Sequence, residues 1–407
     1  MVTYLIGRRA AIGGGALLAA SPLLGARRAR AQQGGAAGPI RIGVLTDETG
    51  PYADSGGKGS VLAAQMAAAD FGPSVLGQPI EILHADTRNK PDIAASIARQ
   101  WYDSGVDAVV DLPVTSVAAA VQQVAKEKSR TVMITAGAAS EFTSKTCSPV
   151  STHWADDTHA LAGTATQVVK SGGKSWFFIT VDYAFGTALE RDATEVITTN
   201  GGKVLGSVRY PIGNSDFSSM VLQAQSSGAQ VIGLASVGND LVNLVKQAGE
   251  FGIQKGGSQT LAGFLIYITE VHALGLDVAQ GFTFASGFYW DQSEASRAWA
   301  KCFATTQNVM PTRVQAAVYT ASLHFLKAMQ QAGTRDAVSV NKAMRALPVD
   351  YLGRPASVRA DGRVLYDLTV YRVKRPQESR APWDYYDAIA TIPAKEAFLP
   401  MNPTCES

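Results

Sequence analysis

The loop from Thr46 to Gly59 is rich in threonine, serine and glycine and holds one aromatic residue, Tyr52. It lacks the G-x-G-x-x-G spacing of dinucleotide sites and the closing Gly-Lys-Ser/Thr of phosphate-binding loops. Hydroxyls, backbone N–H groups and one ring suit the binding of a small polar molecule. The missing motifs argue against a nucleotide.

A predicted strand precedes this loop and a predicted helix follows it. The strand is the apolar, β-branched run from Ile40 to Leu45. The helix presents Val61, Leu62, Met66 and Ala69 on one face. A strand, a long loop at its carboxyl end and a helix form the first unit of a doubly wound α/β sheet, in which ligands lie outside the carboxyl ends of the strands.

The same alternation continues along the chain and then restarts. Predicted strands at 79–85, 107–112 and 131–135 alternate with helices up to a connecting segment at 147–157, and further strands follow at 174–181, 203–210, 230–235 and 260–267. Strict alternation predicts parallel sheets. Two such series in one chain predict an α/β protein with two lobes of like architecture.

The first 31 residues differ from the rest of the chain. Arg8-Arg9 precedes an uncharged stretch from Ala10 to Leu24, and Ala29-Arg30-Ala31 offers small residues at positions −3 and −1 of a cleavage site. This pattern predicts an export signal at residues 1–31. The paired arginines leave both the twin-arginine and the general secretory route open. A membrane anchor is the alternative, but about 15 apolar residues broken by Pro22 are short for a span.

Without the predicted signal the chain carries 31 Lys and Arg against 34 Asp and Glu, a net charge of −3, because residues 1–31 hold five arginines and no acid. No basic patch remains that would indicate binding to nucleic acid. No other stretch approaches the roughly 18 apolar residues of a membrane span. The processed protein is therefore expected to be soluble, and a monomer, since no long apolar helix face is left over.

Three cysteines in an exported chain predict one disulfide and one free thiol. Cys147 lies in a predicted loop and Cys405 lies near the C-terminus, so a disulfide between them would tie down the tail. That tail, residues 376–407, holds five prolines and is predicted to be irregular. Cys302 lies in a helical pattern, where a buried free thiol is expected.

Several motifs resemble the periplasmic solute-binding proteins of the branched-chain amino-acid (Leu/Ile/Val-binding) type, which serve ABC importers. The stretch Thr49-Gly50-Pro51-Tyr52-Ala53-Asp54-Ser55-Gly56 matches the family's T-G-P-Y-A-x-x-G loop, and an alanine-rich helix follows. The strand and loop ending at Ser116, a D-x-x-x-G pattern at 182–186 and an A-D-G-R sequence at 360–363 come in the family's order. The resemblance covers about residues 40–374.

This resemblance implies a type I periplasmic-binding-protein fold, with two doubly wound parallel-sheet lobes joined by a three-stranded hinge. Lobe one is expected at 40–156 and 288–358, and lobe two at 157–287 and 359–375. The resemblance also implies a periplasmic protein that captures a small solute between its closing lobes. Its expected partner is the membrane permease of an ABC importer.

The resemblance further implies that lobe one holds a ligand carboxylate with hydroxyl and backbone N–H groups from two loops. The corresponding residues are Thr115, Ser116, Ala138, Ala139 and Ser140. Backbone N–H groups at helix N-termini favour an anion, which supports this role on physical grounds. The alternative for the serine and threonine residues is ordinary helix capping.

Lobe two departs from the family pattern. Amino-acid binders carry an acid in the loop after the last strand of this lobe, where it pairs with the ligand ammonium, but the stretch from Gly263 to Tyr267 has no acid before Glu270. An ammonium buried without a carboxylate partner is costly. An α-amino acid ligand is therefore in doubt, unless Asp182 or Asp240 substitutes from a neighbouring loop.

The remaining candidate residues of the cleft are largely aromatic. Aromatic walls with a few polar contacts are typical of small-molecule sites. They favour a carboxylate with an apolar or aromatic body, such as a benzoate- or cinnamate-like acid. Each ring can instead belong to the core of its lobe, and for Phe264 the core is favoured. These candidates are Tyr52, Tyr183, Phe185, Gly238, Asn239, Phe264 and Tyr267.

Other functions are less well supported. A metal site at His153, Asp156, Asp157 and His159 is disfavoured, because acids suit a helix start and histidines six residues apart lie on different faces of a helix. The chain has no G-x-S-x-G or H-E-x-x-H motif, so no enzyme activity, metal or cofactor is expected. The alternative function is a ligand-sensing receptor domain of the same fold, which would normally bring a membrane-spanning or effector segment.

Overall fold

The computed structural model describes residues 38–253 and 259–405. The predicted export signal at 1–31 lies outside these residues. The described chain forms two α/β lobes, each built on its own parallel sheet, which confirms the expected fold class. The lobe boundaries drawn from the resemblance stay predictions.

The first lobe is built on a six-stranded sheet with the order β2-β3-β1-β4-β5-β6, parallel apart from the short β2. Because β1 lies between β3 and β4, the strand order reverses there, and the carboxyl ends of β1 and β4 flank the crevice where such sheets bind ligands. The elements are β1 (Ile40–Thr46), α1 (Gly57–Phe71), β2 (Ser74–Val75), β3 (Gln78–Asp86), α2 (Pro91–Asp103), β4 (Ala108–Asp111), α3 (Thr115–Lys128), β5 (Thr131–Ile134) and β6 (Ser151–His153).

The second lobe is built on a four-stranded parallel sheet with the order β10-β9-β7-β8. Its strands β7 and β9 are short apolar runs that are buried almost throughout, as expected for strands covered by helices on both faces. The elements are α4 (Thr158–Lys170), β7 (Ser175–Val181), α5 (Ala184–Thr199), β8 (Lys203–Tyr210), α6 (Ser218–Ser226), β9 (Val231–Ala235), α7 (Asn239–Glu250), β10 (Thr260–Gly263), α8 (Ile268–Leu274) and α9 (Leu276–Ala279).

The rest of the chain completes both lobes. Helix α11 packs on α1 of the first lobe, and an antiparallel sheet of order β11-β15-β16 packs beside α4 and β10 of the second. The elements are β11 (Thr283–Ser286), α10 (Glu294–Gln307), α11 (Arg313–Ala332), α12 (Ala337–Ala346), β12 (Val349–Asp350), β13 (Pro355–Val358), β14 (Val364–Leu365), β15 (Leu368–Val373), β16 (Tyr386–Ile392) and α13 (Ala394–Ala397).

The passages of the chain between the lobes meet at one buried carboxylate. Asp156 accepts a hydrogen bond from the backbone N–H of Gly287 at 3.1 Å and another from the Tyr366 hydroxyl at 2.8 Å. These three residues belong to three separate connecting segments. Asp156 is fully buried, and because both bonds are to a charged acceptor they are stronger than neutral ones.

Two expectations about the chain are wrong. Residues 376–407 are not irregular throughout, because β16 pairs with β15 along its length. Cys302 is exposed instead of buried. The buried positions of α10 are Ser296, Trp299, Ala300 and Phe303, which form one stripe at helical spacing, and residue 302 falls outside that stripe.

The structure joins Cys147 and Cys405 by a disulfide across 258 residues of sequence. Within the described part of the chain, no helix combines the length and the apolar character that crossing a membrane requires.

Candidate functional site

A small cavity lies between the lobes, at the carboxyl ends of strands from both main sheets. Its volume is about 10 Å³, about the space that one water molecule needs. Among the described residues that line it, none carries a charged side chain. They are Tyr52, Ser55, Gly56, Pro113, Thr115, Ala136, Ala138, Tyr183, Phe185, Val237, Leu265, Tyr267 and Val314.

Thr115 and the start of α3 form the first-lobe wall. Thr115 is the first residue of α3, and its Oγ1 accepts a hydrogen bond from the backbone N–H of Ala138 at 3.3 Å. This bond joins the loops after β4 and β5, and it leaves the hydroxyl hydrogen free to donate. No side chain caps the N-terminus of α3, so its first-turn N–H groups remain available to an anion.

Hydrogen bonds to one carboxylate and from one hydroxyl hold the loop that contains Tyr52 in place. Asp47 accepts hydrogen bonds from the backbone N–H groups of Gly50 and Tyr52, at 2.6 and 2.9 Å. At the other end of the loop, Thr312 donates to the carbonyl of Ser55 at 2.6 Å. Because α11 begins directly after Thr312, this bond couples the loop to the longest helix of the first lobe.

Two tyrosines meet across the cavity. The hydroxyls of Tyr52, from the first lobe, and Tyr183, from the start of α5, are 3.2 Å apart. Burial raises the pKa of both hydroxyls above the usual value, so both stay protonated at neutral pH. One O–H is used in the bond between them, which leaves the other to donate to a ligand.

Several predicted site residues lie near the cavity without lining it. Ser116 is half-buried in α3, and Ala139 is buried beside the wall. Ser140 contacts Asp192 of α5, with its Oγ 3.3 Å from the carboxylate, so it joins the lobes outside the cavity. Gly238 and Asn239 border a separate pocket of about 20 Å³ next to it.

Phe264 lies in the core of the second lobe, the interpretation that the sequence favoured for it, and it does not line the cavity. Its ring is fully buried and lies 6.0 Å from the ring of Phe178 and 6.1 Å from that of Trp176, inside the second lobe. It follows β10 directly, and its side chain packs on the sheet with the strand residues. The loop after β10 contributes Leu265 and Tyr267 to the cavity instead.

Asp182 and Asp240, the two acids considered as partners of a ligand ammonium, do not line the cavity, and neither does Glu270. Asp182 is largely exposed and lies 3.6 Å from Arg209. Asp240 is buried, accepts a bond from the N–H of Gly213 at 2.9 Å, and has its pKa raised to about 6 by burial. Glu270 is turned to the backbone, where its two oxygens accept from the N–H groups of Gly238 and Tyr267.

Glu270 thereby ties together the loops after β9 and β10, two of the second-lobe loops that face the first lobe. It is the third residue of α8 and completes a capping box with Tyr267, and its bond to Gly238 extends that cap to the loop after β9. Burial raises the pKa of Glu270 to about 8, against the lowering effect of the two N–H groups and with Asp54 adding to the rise.

Sequence reasoning missed Arg313. This side chain is buried, and its guanidinium lies 3.2 Å from Asp156 and donates to the Tyr267 hydroxyl at 3.1 Å. Burial alone lowers the pKa of Arg313, but Tyr267 and Asp156 hold it above the usual value. One signal was present in the sequence: an arginine at the first position of a helix opposes the helix dipole and therefore indicates a specific partner.

A second missed residue is Asp111, the last residue of β4. It is fully buried, and its φ of +86° places it in the left-handed region that residues with side chains rarely adopt. Burial raises the pKa of its carboxyl to about 6, although the Thr46 and Ser60 hydroxyls beside it lower it. Such strained, buried acids cluster at functional sites, and Asp111 lies directly behind Gly56 of the cavity wall.

The residues considered for a metal site serve other purposes. The two ring nitrogens of His153 lie 2.8 Å from the Gly137 carbonyl and 2.9 Å from an Arg363 nitrogen. Burial and Arg363 hold the pKa of His153 well below its usual value, so the ring is neutral. Asp157 caps α4 by accepting from the Ala160 N–H. The part of the chain that the structure describes holds no cluster of three metal-ligating side chains.

A model of the periplasmic binding protein family matches residues 39–380. The chain belongs to this family. A solved periplasmic binding protein of Burkholderia mallei is 45% identical, with a TM-score of 0.87 over 90% of this chain and 98% of that one. A branched-chain amino acid ABC transporter periplasmic ligand-binding protein of Burkholderia xenovorans is 38% identical, with a TM-score of 0.78 over 89% of this chain and 97% of that one.

More distant relatives agree with this assignment. The Leu/Ile/Val-binding protein homolog 6 of Brucella melitensis is 25% identical over 58% of this chain, and the match spans only 61% of that protein. A solute binding protein of a Rhodopseudomonas palustris ABC transporter, solved with 3,4-dihydroxybenzoic acid, is 19% identical with a TM-score of 0.78 over 88% of this chain and 98% of that one. At that identity the likeness shows the fold alone.

Proposed function

We propose that this protein is the solute-binding component of an ABC importer, and that it captures a small carboxylate-bearing solute between its lobes in the periplasm and presents it to a membrane permease. The observation that carries this proposal is the cavity between the lobes, formed by loops at the carboxyl ends of strands from both sheets. A ligand that contacts both walls favours the closed form, because its differential affinity shifts the population of conformers.

The first-lobe wall supports an anionic group on the solute. The uncapped N-terminus of α3 carries a partial positive charge, and the Thr115 hydroxyl retains a hydrogen to donate. A carboxylate here would accept hydrogen bonds from groups that are fixed before it arrives. Such preorganised donors reduce the cost of binding.

The second-lobe wall supports an aromatic or apolar body without an ammonium group. Leu265 lies in the loop where amino-acid binders of this family carry an acid, and Tyr183 and Phe185 extend the apolar surface. Asp182, Asp240 and Glu270 are engaged elsewhere. A buried ammonium without a carboxylate partner is disfavoured, so we favour an aromatic carboxylic acid.

Any solute larger than water must part the Tyr52 and Tyr183 rings, since the cavity holds only about 10 Å³. Two hinged lobes can supply this space by moving apart. We therefore expect the solute to enter an open form and to insert between the two tyrosines on closing.

A branched-chain amino acid is the second candidate. It is favoured by the Burkholderia xenovorans relative, which is described as a branched-chain amino acid ligand-binding protein and is 38% identical. Binding of such a ligand here would require one of the engaged acids to rearrange toward the cavity.

The test is a thermal-shift screen of the purified protein against benzoate, 3,4-dihydroxybenzoate, benzamide, leucine, isoleucine and valine, followed by calorimetry of any stabilising compound. A ligand that binds only the folded state raises Tm by mass action. At one hundred times its Kd it adds about 2.7 kcal/mol to the free energy of unfolding. We expect the aromatic acids to stabilise the protein and benzamide, which lacks the carboxylate, to do so much less. Stabilisation by the three amino acids alone would overturn the aromatic assignment.

A further inference from the structure

The chain crosses from the second lobe to the first once more after its last hinge strand. Strand β16 pairs with β15 in the sheet beside the second lobe, and α13 then packs against α4. Phe398 packs on the Tyr366 and Arg363 side chains of the hinge, and the carbonyl of Leu399 accepts from Arg359 at 2.8 Å.

The segment ends on a loop of the first lobe. The Asn402 side chain donates to the carbonyl of Ser144 at 2.8 Å, and Cys405 is bonded to Cys147. Both contacts lie in the loop between β5 and β6, two strands of the first sheet. We name residues 393–405 the strap.

The loop that receives the strap is compact. It begins with a 3₁₀ turn at Ser140–Thr143, and the N–H groups of Lys145 and Thr146 bond back to the carbonyl of Glu141 at 3.1 and 3.0 Å. These bonds hold Lys145 and Thr146 against the 3₁₀ turn, so a displacement of Cys147 also displaces Ser140 and Glu141.

The beginning of the same loop touches the second lobe. Glu141 forms an ion pair with Arg191 of α5, and Ser140 lies beside Asp192, which also accepts from Thr158 at 2.6 Å. Arg191 holds the carboxylate of Glu141 in its charged form, since the pKa of Glu141 is lowered despite burial. The contacts of Glu141 with Arg191 and of Ser140 with Asp192 form an interlobe latch, which must break when the lobes separate. We name residues 140–147, which carry the first-lobe side of this latch, the latch loop.

We propose that the strap is a fourth connection between the lobes. Its disulfide holds the latch loop against α5, and this limits how far and how often the cleft opens. The three hinge passages fix the axis of opening but leave the latch loop free to move with the first lobe. The covalent tether keeps the latch loop near α5, so it raises the effective concentration of the loop at its binding surface on α5. The inference rests on lobe closure in the proposed function, but not on the identity of the solute.

The experiment compares the ligand-free protein with a double variant, Cys147→Ser and Cys405→Ser, by small-angle X-ray scattering and amide hydrogen exchange. We expect the radius of gyration of the double variant to rise by about 1 Å. We expect residues 140–147 to exchange at least roughly tenfold faster. Cys302→Ser, which removes the exposed free thiol, is the control and should change neither quantity.

If the double variant does not fold, the same comparison is made on folded wild-type protein treated with a water-soluble phosphine. The phosphine reduces the disulfide to two thiols and becomes the phosphine oxide, with the oxygen taken from water. The Cys302→Ser protein given the same treatment should behave as the wild type does.

A further variant distinguishes the proposed action of the strap on the latch from a general stabilisation of the fold by the disulfide. Arg191→Ala removes the ion pair to Glu141, and we expect it to open the wild-type protein but to add little in the protein without the disulfide, because both act on one loop and their effects are not additive. An unchanged radius of gyration and unchanged exchange at 140–147 after loss of the disulfide would overturn the proposal, even if Tm falls.

Discussion

The first turn of α3 and the Tyr52–Tyr183 pair are the residues on which solute binding is expected to depend. Thr115 lies in the cavity wall with a free hydroxyl hydrogen, whereas Ser116, its neighbour in α3, does not line the cavity. The two residues therefore form a matched pair, in which one hydroxyl can reach a solute and the other cannot.

Thr115→Ala and Tyr183→Ala are each expected to weaken binding of the solute found in the screen by about tenfold or more, because a hydrogen bond to a charged group contributes about 1.5–3 kcal/mol. Titration calorimetry measures the affinity, and thermal melting checks that both variants fold. Ser116→Ala should bind as the wild type does. Equal loss in all three variants, or in none, would place the carboxylate elsewhere.

Glu270 predicts a dependence of stability on pH. Burial raises the pKa of Glu270 in the folded protein from its ordinary value of 4.5 to about 8, so between these values the folded state holds a proton that the unfolded state has released. The contribution of this group is therefore complete below about pH 4.5 and is lost as pH rises toward 8, at up to about 1.4 kcal/mol per pH unit.

Glu270→Gln is expected to be less stable at pH 5, because an amide cannot accept from both Gly238 and Tyr267, but to lose less stability between pH 5 and pH 8. Urea unfolding at a series of pH values measures both effects. Parallel profiles for the two proteins would contradict the assignment. Asp336→Ala, which removes an exposed cap of α12, controls for the loss of a helix cap alone.

At the scale of elements, α11 organises the site from the first lobe. Thr312, the residue before α11, holds the Tyr52 loop. Arg313, the first residue of α11, joins the hinge to the second lobe, and Val314 lines the cavity. Gly59 of α1 leaves room for the Gln315 side chain, since a Cβ there would lie 2.2 Å from its amide nitrogen. One helix start thus couples hinge, loop and cavity.

Arg313→Met is expected to destabilise the protein by about 3–5 kcal/mol, because it leaves the Asp156 carboxylate buried without its charged partner. Urea unfolding measures the free energy. Arg297→Met removes an exposed pair with Asp291 and is the control, with an expected change below about 1 kcal/mol. Similar losses in both variants would show that burial of the pair does not matter.

At the scale of the whole molecule, closure depends on how near the two lobes can come. The two lobes come close together at Gly238, where an added Cβ would lie 2.7 Å from the carbonyl oxygen of Pro51 and 3.0 Å from the Tyr52 ring. Only a residue without a side chain allows this contact, and the φ of +73° favours glycine there as well.

Gly238→Ala is expected to shift the population toward open forms and to weaken solute binding by at least about tenfold, because an added methyl group prevents full closure. Scattering and calorimetry measure the two effects. Gly228→Ala is the matched control: its φ is +68°, but nothing lies within 4 Å of an added Cβ. Equal effects of both variants would assign the change to backbone strain and not to closure.

The architecture and six of the thirteen cavity-wall residues follow from sequence patterns and from the resemblance to a known family. Alternating apolar runs and helical stripes report local burial, so they predict parallel sheets. The family resemblance, together with the loops after each strand, predicted six residues that line the cavity: Tyr52, Thr115, Ala138, Tyr183, Phe185 and Tyr267. Positions at the carboxyl ends of strands can be predicted in this way because the topology brings those ends together.

Which side chains face the cavity, and which face the core or another loop, emerges from the packing of the folded chain. Phe264 packs on the sheet, Glu270 turns to two backbone N–H groups, and Arg313 reaches Tyr267 from 46 residues away. The disulfide between Cys147 and Cys405 was predicted from the sequence and is confirmed, but the packing of Phe398 in the strap on Tyr366 and Arg363 was not predicted. Hydrophobic periodicity carries no information on such partners, because the packing of elements that are distant in sequence determines them. The buried charged groups, the cavity and the latch of this protein depend on those partners.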